Sequence, residues 1–165
     1  MDDLDTRVEI EAERIATDFL KIANIPAVVD ERKHLPGTRD GDEQFQIYFT
    51  VEDTAAGLVI VYHPEQPEDL RLYANYIAKV IPKENPDAFE NSELITRMAQ
   101  AASSTKLRFY IPKNHEIFSV SPKKLMDGRP VVAVRASGML NETNYNSDAL
   151  FVGELNRAIL GYINP

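Results

Sequence analysis

Residues 39–43, "RDGDE", gather Asp40, Asp42 and Glu43 around Gly41. Acids at alternate positions are how a calcium loop begins. Such a loop also needs glycine at its sixth position and a bidentate Glu at its twelfth. Here the glycine falls between the two aspartates, and the twelfth residue counted from Asp40 is Val51. Residues 44–52 alternate apolar and polar, so they form a strand with one buried face and do not wrap an ion. Asp40-Gly41 supplies the positive φ of a tight turn, and the stretch reads as the point where 27–34 and 44–52 part.

The other chemistry-bearing residues are scattered. His34, His63 and His115 fall near strand ends, with Asp30, Glu65 and Glu116 as available carboxylates. None has a ligand spacing such as H-x-H or H-E-x-x-H, and no metal is expected. There is no G-x-S-x-G elbow, no P-loop and no G-x-G-x-x-G, and the carboxylates single out no acid/base pair. With zero cysteines there is no thiolate ligand or nucleophile. "RFYIP" (108–112) interleaves a base with aromatics, but core packing accounts for Phe109. "NET" (141–143) matches a glycosylation acceptor, which has no meaning without export. No cofactor is expected, and the reading leans away from an enzyme.

The chain has 165 residues, 44% hydrophobic and 27% charged, which suits one globular domain spanning 1–165. A net charge of −8 argues against nucleic acid as a partner. Its distribution is uneven. Residues 106–135 hold seven bases (Lys106, Arg108, Lys113, Lys123, Lys124, Arg129, Arg135) against Glu116 and Asp127. Residues 2–18 hold seven acids against Arg7 and Arg14. Such a molecule is steered toward a complementary partner or toward a second copy of itself. No run of about 18 apolar residues spans a membrane. The opening, "MDDLDTRVEIEAER", is acidic where an export signal is basic, so a cytoplasmic protein is expected.

The elements that must position any site follow from periodicity. Leu4, Val8, Ala12, Ile15, Phe19 and Ile22 predict a helix over 3–23, ended near Asn24 and Pro26. Residues 27–34, 44–52 and 58–63 read as strands, the first an edge and the last central. Residues 64–81 read as a helix with Leu70, Tyr73, Ile77 and Val80 or Ile81 inward, and Pro82 ends it. A second helix follows over 86–102, with Leu94, Met98 and Ala101 inward. Residues 106–112 and 115–121 predict a hairpin, 123–128 a connection and 131–137 a further strand. A last helix covers 147–162, with Leu150, Phe151, Leu155, Ile159 and Tyr162 as its stripe and Ser147 and Asp148 as caps. The order is α-βββ-αα-βββ-α. The class is α+β, an antiparallel sheet of about five or six strands covered by helices.

The acidic opening helix, the pair "FQIYFTVE" and "GLVIVYH", and the ending "DALFVGELNRAILGYI" give a layout that resembles the type III secretion chaperone-like fold. The chain departs from it at 64–105, long enough for two helices where one is usual. The resemblance implies a small bacterial protein that dimerises and holds an extended or helical segment of a partner; many proteins of this fold have no known function. The function expected is a non-enzymatic protein-binding domain, chaperone-like or an adaptor, acting on a protein partner or as a homodimer. Leu72 and Tyr76, as outer residues of the helix at 67–81, are its candidate interface, with Lys123, Lys124 and Arg129 from the basic region. Two alternatives stand: a small-molecule-binding domain or enzyme with a pocket between sheet and helices, and a subunit of a larger assembly.

Overall fold

The computed structural model describes residues 3–25, 31–36, 43–51, 54–63, 66–112, 125–126 and 128–165. In chain order the elements are α1 (Asp3–Ala23), β1 (Glu31–Pro36), β2 (Glu43–Val51), β3 (Thr54–His63) and β4 (Gln66–Val80). A 3-10 helix (Pro86–Asn91) and α2 (Glu93–Ala101) follow, then β5 (Arg108–Tyr110), β6 (Leu125–Met126), β7 (Arg129–Pro130), β8 (Val132–Leu140) and α3 (Tyr145–Ile163). One sheet runs in the order β1-β2-β3-β4-β8-β5, with every neighbouring pair antiparallel. β6 and β7 form a separate small hairpin whose turn contains Gly128 at φ 77. Helices on an antiparallel sheet are the class that the periodicity predicts.

The largest departure is residues 64–81. They do not form a helix: Gln66–Val80 is the fifteen-residue strand β4. Tyr73, Ile77 and Val80 recur at helical spacing, but so do Leu72, Ala74, Tyr76, Ala78 and Val80 at spacing two. The second pattern is the one the structure buries, with Leu72 half-buried and the other four fully so. β4 lies between β3 and β8, so its backbone donors and acceptors are satisfied from both sides. That pairing overrides the helix preference of its alanines.

Burial on β8 alternates from Val134 to Ser137, while at its start Val132 and Ala133 are both buried. Val132, Val134, Ala136 and Leu140 join the even residues of β4 in a core closed by α1 and α3. On α1 the predicted stripe holds at Ala12 and Phe19, which are buried, and at Ile15 and Ile22, which pack partly against the core. On α3 it holds at Phe151, Leu155 and Ile159. Leu150 is an exception: it is 56% exposed, on the outer side of the helix.

The two helices meet through small residues. A Cβ built on Gly153 of α3 falls 1.9 Å from the Ala23 carbonyl oxygen and 2.9 Å from the Ala23 Cα. One turn further along α3, Arg157 Nη1 donates to the same oxygen at 3.2 Å. α1 ends there in a Schellman motif. Asn24 takes φ 56, the Ile25 N–H reaches the Leu20 carbonyl at 3.0 Å, and the Asn24 N–H reaches the Lys21 carbonyl at 3.2 Å. Asn is one of the few non-glycine residues that tolerate this backbone region. Buried Ile25 supplies the hydrophobic contact that accompanies the motif.

At its other end α3 begins two residues before the predicted start. Residues 141–144, "NETN", form a side-chain-bonded turn in which Asn141 Oδ1 accepts from the Thr143 and Asn144 N–H groups. Buried Asn144 turns its amide back to β8, donating to the Met139 carbonyl at 3.2 Å. Asp148 is no exposed cap. It is wholly buried, and its Oδ1 accepts from the Thr105 hydroxyl and from the Lys106 N–H at 2.9 Å, tying the approach to β5 onto α3. The long helix expected over 86–102 is broken at Ser92. That residue closes the 3-10 helix through its N–H to Phe89, and its Oγ accepts from the Ile95 N–H to cap α2. Leu94 and Met98 point inward as predicted.

Tyr145 locks the α1–α3 contact. Its ring meets Phe19 edge-on at 5.8 Å, and its hydroxyl donates to the Ile15 carbonyl at 3.0 Å. Burial, and after it the nearby Asp18 carboxylate, hold the phenol well above its ordinary value. The sign for stability follows. Below about pH 10 the phenol is neutral whether the chain is folded or not. Above that, the unfolded chain releases a proton that the fold retains, so stability falls as pH rises. We predict that urea midpoints measured at about pH 9 and 11 will differ less for Tyr145→Phe than for the parent chain. Equal differences would show that Tyr145 does not titrate on unfolding.

Candidate functional site

Alternation along the strands sets the second face of the sheet. With even residues of β4 and β8 under the helices, odd residues point the other way. From Arg71 to Lys79 on β4 these are Arg71, Tyr73, Asn75, Ile77 and Lys79; on β8 they are Ala133, Arg135, Ser137 and Met139. β5 pairs Arg108 with Ser137 and Tyr110 with Arg135, which adds Arg108 and Tyr110 to the same face. Phe109, between them, packs inward and meets Phe151 edge-on at 6.1 Å.

This face is organised by its arginines. Arg108 lies 4.2 Å over the Tyr110 ring, Arg135 approaches the ring at 6.0 Å, and Arg135 Nε donates to Asn75 Oδ1 at 2.9 Å. Arg108 is exposed and Met139 is 52% exposed, while Tyr73, Ile77, Tyr110 and Arg135 are half-buried. The residues just named include four cations and no carboxylate. Arginine, tyrosine and methionine are among the side chains enriched at protein interfaces, and tyrosine gives contact area at low entropic cost.

The five residues expected at an interface separate. Tyr76 is 1% exposed, on the core face, with its hydroxyl donating to Asn156 Oδ1 on α3 at 3.4 Å. Leu72 is half-buried against the same core. Both were assigned to the outer side of a helix; on a strand their even numbers turn them inward. Arg129 is exposed, on β7. Lys123 and Lys124 lie outside the described residues, as do the predicted strand 115–121, residues 39–42 of "RDGDE" and His115; Glu43 begins β2. His34 falls on β1 and His63 at the end of β3. Among the described residues no group of three or more His, Cys, Asp or Glu is placed to hold a metal. No described helix is long and apolar enough to cross a membrane.

Sequence reasoning missed a second site, around Tyr162 near the end of α3. Two clefts share Tyr162 and Lys83 as walls. The first, about 570 Å³, lies against the start of α2 and is lined by Arg97, Arg157, Glu84 and Glu93. The second, about 490 Å³, opens where the end of β4 and the end of α3 approach β7. It is lined by Lys79, Ile81, Pro82, Arg129 and Ile163.

Tyr162 is held from three sides. The Lys83 N–H donates to its oxygen at 2.6 Å, its hydroxyl donates to Glu84 Oε2 at 3.0 Å, and Phe89 meets its ring edge-on at 5.8 Å. Lys83 Nζ sits 4.8 Å over the ring. Burial, with Glu84 beside it, raises the phenol above its ordinary value, so it stays neutral near pH 7. Oε1 of Glu84 is buried without a hydrogen-bond partner among the described residues.

No protein-family description, curated protein or solved structure matches this chain.

Proposed function

We propose that the chain is a non-enzymatic protein-binding domain, an adaptor or chaperone-like module, that docks an acidic segment of another protein on the face of β4, β8 and β5 opposite α1 and α3. One observation carries the reading. Strand alternation puts Tyr73, Tyr110 and Met139 beside Arg71, Arg108, Arg135 and Lys79 on the face opposite the core. In a chain of net charge −8 this is a local concentration of positive charge on contact-forming side chains. Charge complementarity favours an acidic partner, and the aromatics supply the area that charge alone lacks.

The test is selection of peptides from a random displayed library on the purified chain, repeated on Arg108→Glu and Arg135→Glu. The parent chain is expected to enrich acidic peptides carrying an apolar residue, and each variant to weaken their binding about tenfold. Light scattering on the same samples reads self-association. A dimer that the two variants abolish would make the acidic partner a second copy. If parent and variants select the same peptides, or acidic ones are not enriched, the docking face is elsewhere.

A further inference from the structure

We infer that the second cleft beside Tyr162 binds a small organic anion with two or more negative charges and a short apolar body. Its cationic lining is Lys79, Lys83 and Arg129, and no carboxylate is among the described residues that line it. Neither Lys79 nor Arg129 pairs with an acid among the described residues. Lys83 Nζ lies over the Tyr162 ring and pairs with no acid among the described residues. Three like charges around one opening repel each other, and an anion between them relieves this.

The end of α3 lies at the same place and brings partial negative charge of its own. That amounts to about half a charge; together with the Glu84 carboxylate on the Tyr162 hydroxyl it stands against three formal positive charges, so the cleft remains positive. The lining also divides by chemistry. Lys79 and Arg129 are exposed, while Ile81, Pro82 and Ile163 are partly buried and apolar. A bare inorganic ion would leave that apolar wall wet. A cleft of about 490 Å³ has the size of a small-molecule site. The Tyr162 hydroxyl already serves Lys83 and Glu84, so the tyrosine offers a fixed ring edge and no free donor. The neighbouring 570 Å³ cleft is less suited to an anion, because Glu84 and Glu93 line it and one Glu84 oxygen lacks a donor among the described residues.

The probes are phenyl phosphate and phthalate, an aromatic phosphate ester and an aromatic dicarboxylate, with sulfate as the inorganic control at matched ionic strength. Both aromatic probes are expected to raise the melting temperature in a concentration-dependent way. In nuclear magnetic resonance titrations they are expected to shift the amide signals of Lys83 and Ile163. Lys79→Glu and Arg129→Glu each replace an exposed side chain and are expected to melt like the parent without ligand. Each should weaken probe binding about tenfold or more. Equal shifts from sulfate would show that charge alone is sensed and would overturn the apolar half of the inference. Binding unchanged in both variants, or no response to any probe, would overturn it entirely.

Discussion

Gly153→Ala is expected to destabilise the protein by about 3 kcal/mol or more, a fall in melting temperature of roughly 10 °C for a chain of this size. The added methyl would sit 1.9 Å from the Ala23 carbonyl oxygen and 2.7 Å from its carbon. These are backbone atoms, so no rotamer change makes room, and trimming Ala23 to glycine does not rescue the variant. α1 must move away from α3, which also separates Arg157 from the Ala23 carbonyl and Tyr145 from Phe19. The same exchange at Gly161, eight residues along the same helix, carries the opposite sign. Nothing lies within 4 Å of a Cβ there, so Gly161→Ala gains helix propensity of about 0.5–1 kcal/mol. Thermal unfolding followed by circular dichroism measures both. Two variants that melt alike would show that α1 and α3 are not in close contact at Gly153.

The second large effect is Phe89→Ala. Phe89 is 0% exposed and meets the Tyr162 ring edge-on. Removing a buried ring from a site that cannot collapse costs about 3–5 kcal/mol. Here the 3-10 helix is pinned on both sides, by Asn85 Oδ1 accepting from the Asp87 N–H and by the Ser92 N–H on the Phe89 carbonyl. Phe89→Leu keeps most of the volume and is expected to lose only about 1 kcal/mol. Denaturant midpoints of the two variants read the difference. A Phe89→Ala protein as stable as its parent would mean that the ring contributes nothing to holding the end of α3.

How much of this was legible in the sequence depended on whether one period stood alone. In α1 the spacing of Ala12, Ile15, Phe19 and Ile22 has no strand-like competitor. In β2 the alternation has no helical one, and β3 is a short run apolar on both faces, as a central strand is. β4 carries both periods, and its alanines and leading proline favour the wrong one. What decides is the pair of strands on either side, and β8 lies far down the chain. The misplacement of Leu72 and Tyr76 followed directly, since helix and strand assign opposite faces to the same residues. Once the strand is known, Tyr73 emerges on the outer face from the same alternation. The Tyr162 clefts left no local signal. Lys79, Lys83, Arg129 and Tyr162 come from three separate regions, and only the sheet order and the packing of α3 bring them together. Asp148 reads as a helix cap, and its buried role is not legible because its donors, Thr105 and Lys106, lie about forty residues away.

The central position of β4 also sets an order of events during synthesis. Its partner β3 precedes it directly, but on the other side Val80 pairs with Val132 and Leu72 with Leu140. At roughly 5–20 residues per second, β4 leaves the ribosome several seconds before β8 exists. For that time one row of its amides and carbonyls is unpaired, beside apolar Leu72, Ala74, Tyr76, Ala78 and Val80, the arrangement most prone to join another chain. α1 waits longer still, because α3, the helix packed against it at Ala23, follows β8 in the chain. The N-terminal meander is therefore a local and early structure, while the core beneath the helices forms only after α3 has been synthesised.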